Sequence, residues 1–232
     1  MKKAILSLAA VMTLFGLMGC NNRGEVQVVS PAQQQELKPM QQSWRGTLPC
    51  ADCEGIDTSL FLEKDGTWVM NQGYQGGKAA AEFAAYGAWA RTADKLVLTD
   101  AKGEKLYFRV KGDALEMLDR EGNPIDSQLN YTLQPMKSSL PSTPMAMRGM
   151  YLYSVGAATF TDCATGKRIA VNPDTQLEQK FSEARGNRHQ AVLLEVEGHF
   201  TQKPNPDTGA LVKTLVADKN ATFLAGKECN HP

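Results

Sequence analysis

From Trp44 to Leu133 apolar side chains fall on every second residue, in short runs that end at charged glycine turns. Ile56, Thr58, Leu60 and Leu62 alternate, Lys64-Asp65-Gly66 turns the chain, and Trp68 and Met70 alternate back. Phe83, Ala85, Gly87 and Trp89 follow, then Leu96 and Leu98 beyond a turn at Ala93-Asp94. The turns Ala101-Lys102-Gly103-Glu104, Lys111-Gly112-Asp113 and Glu121-Gly122-Asn123-Pro124 set off Leu106/Phe108/Val110, Leu115/Met117 and Tyr131/Leu133. A period of two puts one face of each strand on a core. Connections this short make consecutive strands pair antiparallel. Sequential hairpins with one apolar face form a meander, and about eight strands close into a small up-and-down barrel without free edges. No helical period interrupts the series.

Pro135, Pro141 and Pro144, with Ser and Thr between them, mark 135–146 as a linker. Beyond it, 147–153 and 158–161 read as strands, Ala164-Thr165-Gly166-Lys167 as a turn, and 168–171 as a third strand. Asp174 or Thr175 caps a short helix carrying Leu177, Phe181 and Ala184 on one face, stopped by Gly186. Strands at 192–196 and 211–216 follow, separated by a Pro- and Gly-rich loop at 203–210. Three strands, a helix and two strands is the order of a five-stranded OB-type barrel. The expected domains are therefore an all-β barrel over 44–134 and an OB-fold over 147–232.

The charges balance, with 25 Lys and Arg against 25 Asp and Glu. Residues 40–136 carry 10 basic and 14 acidic groups, and residues 145–232 carry 10 and 9. The second domain thus lacks the positive groove of a nucleic-acid-binding OB-fold, and its partner is expected to be a protein.

Lys2 and Lys3 precede an apolar run over 4–17 that is short for a membrane span and fits a signal-peptide core. It ends in Leu17-Met18-Gly19-Cys20, which resembles the lipobox of bacterial lipoproteins. Cleavage at 1–19 would leave Cys20 carrying diacylglycerol and an N-acyl chain, enough acyl chains for stable anchoring. The segment 20–43, rich in Gln and holding Pro31 and Pro39, reads as a flexible tether. Asn21, rather than the Asp that retains enteric lipoproteins in the inner membrane, implies sorting to the outer membrane by the lipoprotein sorting machinery.

Cys50, Cys53, Cys163 and Cys229 remain, in an oxidising compartment. Three pairings are possible. The spacing favours a tight Cys50–Cys53 pair and a long-range Cys163–Cys229 pair. On the chain-entropy account the long loop contributes roughly 4 kcal/mol and the short one about 2 kcal/mol.

Several segments resemble the NlpE (CutF) family of outer-membrane lipoproteins. They are 43–56, which contains Trp44-Arg45-Gly46-Thr47 and Cys50-Ala51-Asp52-Cys53-Glu54-Gly55, together with 61–70, 114–124, 159–168 and 196–200. The resemblance implies a lipocalin-like first barrel, an OB-fold second domain and a role in envelope-stress signalling. Its implied partner is the periplasmic domain of the Cpx sensor kinase. The implied stimuli are adhesion, stalled lipoprotein sorting, and copper or redox stress.

Read on their own, Cys50 and Cys53 admit three roles. A thioredoxin-like pair needs a helix N-terminus, and here Glu54-Gly55 leads into a strand pattern. Two thiolates suit Cu(I), making Cys50 and Cys53 candidate metal ligands, but no second CxxC or His pair lies nearby to close a zinc site. A disulfide stapling the barrel mouth is the third. Met136, Met145, Met147 and Met150 offer thioethers to Cu(I), although a strand position favours core packing. His189, His199 and His231 are scattered. Trp68, Phe83, Trp89 and Phe108 either fill the first barrel or wall a hydrophobic ligand. No Ser/His/Asp set, P-loop or HExxH motif is present, and an enzyme is not expected.

Overall fold

The computed structural model describes residues 42–76, 81–92, 94–186, 190–205 and 208–229. The signal segment, Cys20, most of the tether, His189 and His231 lie outside them. Among the described residues no helix is long and apolar enough to cross a membrane.

Eight strands form the first barrel: β1 (Gln42–Leu48), β2 (Gly55–Leu62), β3 (Thr67–Gln75), β4 (Glu82–Arg91), β5 (Leu96–Asp100), β6 (Lys105–Lys111), β7 (Ala114–Met117) and β8 (Thr132–Met136). Each pairs antiparallel with the next, and β8 returns to β1 through Ser43↔Met136, Trp44↔Pro135 and Arg45↔Gln134. The barrel is therefore the closed up-and-down meander that the alternation predicts. Its interior is packed with Trp44, Leu60, Leu62, Trp68, Leu98, Phe108, Leu115 and Leu133. Both buried indoles find acceptors: Trp44 Nε1 donates to Asp113 O at 2.9 Å, and Trp68 Nε1 to Ala88 O at 3.1 Å. Gly87 lets β4 and β5 approach closely, because a Cβ there would lie 1.9 Å from Thr99 O.

The second barrel contains β9 (Met145–Ser154), β10 (Ala157–Asp162), β11 (Arg168–Val171), α1 (Thr175–Arg185), β12 (Val192–Pro204) and β13 (Leu211–Leu224). Strand order around it is β10-β11-β13-β12-β9, with β11 and β13 parallel and the other pairs antiparallel, which is OB topology. Asp174 caps α1, its carboxylate accepting from Gln176 N at 2.8 Å and Leu177 N at 3.0 Å. Leu177 and Phe181 plug the barrel against Tyr151 and Phe223, whose rings lie 5.4 Å apart.

Three boundaries differ from the sequence expectation. Ser43 belongs to β1, where its hydroxyl donates to Met136 O at 2.8 Å, so the tether stops short of it. Pro135 and Met136 complete β8, and Met145 and Ala146 open β9, which leaves 137–144 as the connection rather than 135–146. The strands expected over 192–196 and 211–216 continue to Pro204 and Leu224. The ladder shifts register around Glu195, Glu197 and Gly198. Such an irregularity breaks the simple alternation that marks a strand.

Val155 and Gly156 turn β9 into β10 with φ of 52° and 76°. Two left-handed residues in a two-residue hairpin favour Asn-Gly, and a β-branched side chain is strained there. Val155 is fully exposed, so no packing repays that strain. Val155→Asn is expected to raise stability by about 1 kcal/mol. Chemical denaturation checks this, and an unchanged midpoint would show that the turn is not strained.

Candidate functional site: two disulfides and the seam between the barrels

The first disulfide joins Cys50 and Cys53 with Cα atoms 5.3 Å apart, on the loop between β1 and β2 at one end of the first barrel. Ala51, Asp52 and Glu54 around it are exposed. The loop runs straight into β2, so the pair has no helix N-terminus to stabilise a thiolate. The second disulfide joins Cys163, just past β10, to Cys229 in the segment after β13, with Cα atoms 5.4 Å apart. It closes 66 residues that include α1, β11, β12 and β13.

Among the described residues no three His, Cys, Asp or Glu side chains gather as a metal-binding group. His199 Nδ1 lies 2.8 Å from Asp218 Oδ2 as a pair. Met145 and Met147 are buried in the core of the second barrel. Of the four aromatic residues considered as filling, Trp68 and Phe108 occupy the first barrel's interior and Trp89 packs against it. Phe83 does not. It is 58% exposed, edge-on to Tyr74 with centroids 5.7 Å apart. Toward one end the lumen widens into a cavity of about 630 Å³, walled in part by Met70, Gln72, Ala85, Leu106 and Arg120.

The feature that sequence reading overlooked is the seam. Register places Phe61 beside Val69 and Val69 beside Tyr86, one row across β2, β3 and β4. These residues alternate with the lumen-facing Leu60, Leu62, Trp68 and Met70, so they point outward. All three are nonetheless buried, in one cluster with Met145, Met147, Phe200 and Leu215 of the second barrel. Tyr86 meets the Phe200 ring edge-on at 5.4 Å. A signal was available. Leu60-Phe61-Leu62 and Trp68-Val69-Met70 are continuous apolar runs, which mark strands buried on both faces.

Polar groups pin the seam. Lys213 of β13, only 11% exposed, is paired with the buried carboxylate of Glu63 and lies 2.7 Å from Asp65 Oδ2. It also donates to the Thr67 hydroxyl, which in turn donates to Asp65 Oδ1 at 2.6 Å. The lysine Nζ stands 5.3 Å from the centre of the Phe200 ring. Elsewhere along the seam, Tyr86 Oη donates to Asp162 Oδ1 at 2.6 Å. Burial, followed by the Asp162 charge and hydrogen bond, pushes the Tyr86 phenol far above its ordinary range, so it stays a donor. A cavity of about 890 Å³ opens nearby, lined by Tyr86, Met147, Val196, Lys102 and Arg148 among others.

Two closed barrels, joined by a short connection and each carrying a disulfide, define a two-domain β module. Family models agree: residues 44–128 match the NlpE N-terminal domain and residues 141–230 the NlpE C-terminal OB domain. The chain belongs to the NlpE family of lipoproteins. It is 65% identical over 230 residues to Lipoprotein NlpE of Escherichia coli (strain K12), covering 99% of this chain and 98% of that one. Among solved structures, the crystal structure of the Cpx pathway activator NlpE from Escherichia coli shares 62% identity. It covers 83% of this chain and all of that one, with a TM-score of 0.42. A putative lipoprotein from Shewanella oneidensis shares 33% identity over 41% of this chain and 88% of its own, with a TM-score of 0.36.

Removing Lys213 would strand a buried carboxylate, a loss of about 3–5 kcal/mol for a buried pair. Lys213→Met is therefore expected to lower overall stability and to increase cleavage of the 137–144 connection by an added protease. Acid acts on the same cluster. Burial pushes the Asp65 carboxyl up, but hydrogen bonds from Lys213 and Thr67 hold it below the ordinary range. A depressed folded-state value contributes stability above the unfolded value, near pH 4, and loses it as pH falls through the folded value. Protease sensitivity of the connection should be flat from neutral pH down to about pH 5 and rise below about pH 4. A flat profile to pH 3 would remove Asp65 from the seam's energetics.

Proposed function

We propose that this chain is anchored through acylated Cys20 to the periplasmic face of the outer membrane, where it reports envelope stress. Its second barrel engages the periplasmic domain of the Cpx sensor kinase. Adhesion, stalled lipoprotein sorting, redox imbalance and copper are the stimuli this reading assigns to it. The observation that carries it is 65% identity across 99% of the chain to Lipoprotein NlpE of Escherichia coli, where NlpE is a Cpx pathway activator. The second barrel supports the redox part. One bridge closes 66 residues, so losing it releases a large share of that barrel's chain entropy. No catalytic role is assigned to any residue.

A Cpx reporter in cells carrying the full lipoprotein tests this. Cys163→Ser/Cys229→Ser is expected to raise output several-fold at unchanged protein level. Equal output from wild type and the variant would count against the second barrel as a redox effector. Cys20→Ala should abolish membrane fractionation.

A second reading is copper homeostasis through Cys50 and Cys53. It is favoured by their position on an exposed loop at a separation that two thiolates can share around Cu(I). The reduced protein is expected to bind one Cu(I), and Cys50→Ser/Cys53→Ser to bind none. Undiminished binding in that variant would move the site elsewhere.

A further inference from the structure

Asp162 is a buried carboxylate, 1% exposed, that serves both barrels at once. Its Oδ2 accepts from Thr165 N at 2.8 Å and from the Thr165 hydroxyl at 2.6 Å. Its backbone N–H donates to Lys167 O and its carbonyl accepts from Gly166 N, each at 2.9 Å. These bonds define the turn 162–167, and the second residue of that turn is Cys163. Cys163 N donates to Arg148 O at 2.9 Å, which ties the same turn to β9. The remaining oxygen, Oδ1, accepts from Tyr86, which lies 76 residues away on the outer row of the first barrel.

A buried carboxylate needs its donors, and losing one is costly. Tyr86 reaches Asp162 only when the first barrel is docked. The turn presents Oδ1 to Tyr86 only while it keeps this geometry, and the bridge to Cys229 fixes its second residue. We propose that docking of the two barrels and the Cys163–Cys229 disulfide are thermodynamically coupled through Asp162. Docking protects the bridge from reduction, and reduction loosens the docking. Linkage makes the two effects equal in size. The inference deepens the redox part of the function proposed above and depends on it only for its use in the cell.

Reduction by a small dithiol proceeds by exchange. One reductant thiolate attacks a bridge sulfur, forming a mixed disulfide and releasing the other cysteine as a thiolate that takes a proton. The second reductant thiol, deprotonated, then displaces the remaining cysteine, which also takes a proton. The reductant ends as its cyclic disulfide, and its two electrons and two protons end on Cys163 and Cys229. Freed from Cys229, the turn keeps its hydrogen bonds but loses the covalent tie at its second residue, so its hold on Asp162 under Tyr86 weakens.

The test is a redox titration of the full lipoprotein in detergent against dithiothreitol. Alkylation and peptide mass spectrometry read Cys163/Cys229 and Cys50/Cys53 separately, so the first-barrel disulfide is an internal standard. In Tyr86→Phe, the Cys163–Cys229 bridge is expected to reduce at a reduced-to-oxidised reductant ratio about fivefold lower or more, the lower end of typical coupling. The Cys50–Cys53 midpoint should not move. The reciprocal arm needs no variant: reducing the wild-type bridge should raise proteinase K cleavage within 137–144 by a similar factor. An unmoved Cys163–Cys229 midpoint, an equal shift of both disulfides, or unchanged cleavage after reduction would each overturn the coupling. A shifted midpoint with a silent Cpx reporter would support the coupling and refute the signalling reading alone.

Discussion

Phe61, Val69 and Tyr86 form a single cross-strand row, and along it the outside of one barrel becomes core for another. A closed eight-stranded meander has no need of a neighbour for its core, which Trp44, Trp68, Phe108 and seven leucines build. The outer row is a different matter. Three large side chains on a solvated face would each forgo roughly 1.5–3 kcal/mol of burial, and the barrel would carry an exposed apolar stripe. Phe200, Met145, Met147 and Leu215 remove that stripe from water, so the arrangement of the two domains follows from the exterior of the first.

The polar contacts along the seam decide how it fits together. Apolar contact alone tolerates sliding, because it is non-directional. Lys213 meets Glu63, Asp65 and Thr67, and Tyr86 meets Asp162, and each of these has one good geometry. Buried pairs of this kind contribute little to net stability, since desolvation offsets attraction, yet are costly to break from one side. These pairs thus fix the register of the seam more than they stabilise it. The part of β12 beyond residue 196 supplies Phe200, and its Gln202 pairs with Lys213 of β13, so the added length of β12 is what makes the contact possible.

Much of this was legible in the chain. Alternation at 56–62 and 83–89, with charged glycine turns between the runs, marks a meander because a two-residue period has only one buried face to offer. Asp174 before Leu177 and Gly186 beyond Phe181 mark the helix by cap chemistry. The ends of β12 and β13 were not legible, because the register shifts around Glu197 break the period. Phe61 and Val69 stood in plain view inside continuous apolar runs, but a continuous run does not say which neighbour covers its second face. Phe83 shows the converse: it keeps the inward phase of β4 yet sits where the barrel opens, and it ends exposed.

The sequence by itself determined the two barrels and the spacing of the cysteines, because periodicity, turns and caps act over a few residues. Only the tertiary structure decided that Tyr86 would meet Asp162 and that Lys213 would meet Glu63. Those partners lie 76 and 150 residues apart. Their encounter depends on how two closed surfaces fit, and no local pattern encodes a fit between surfaces.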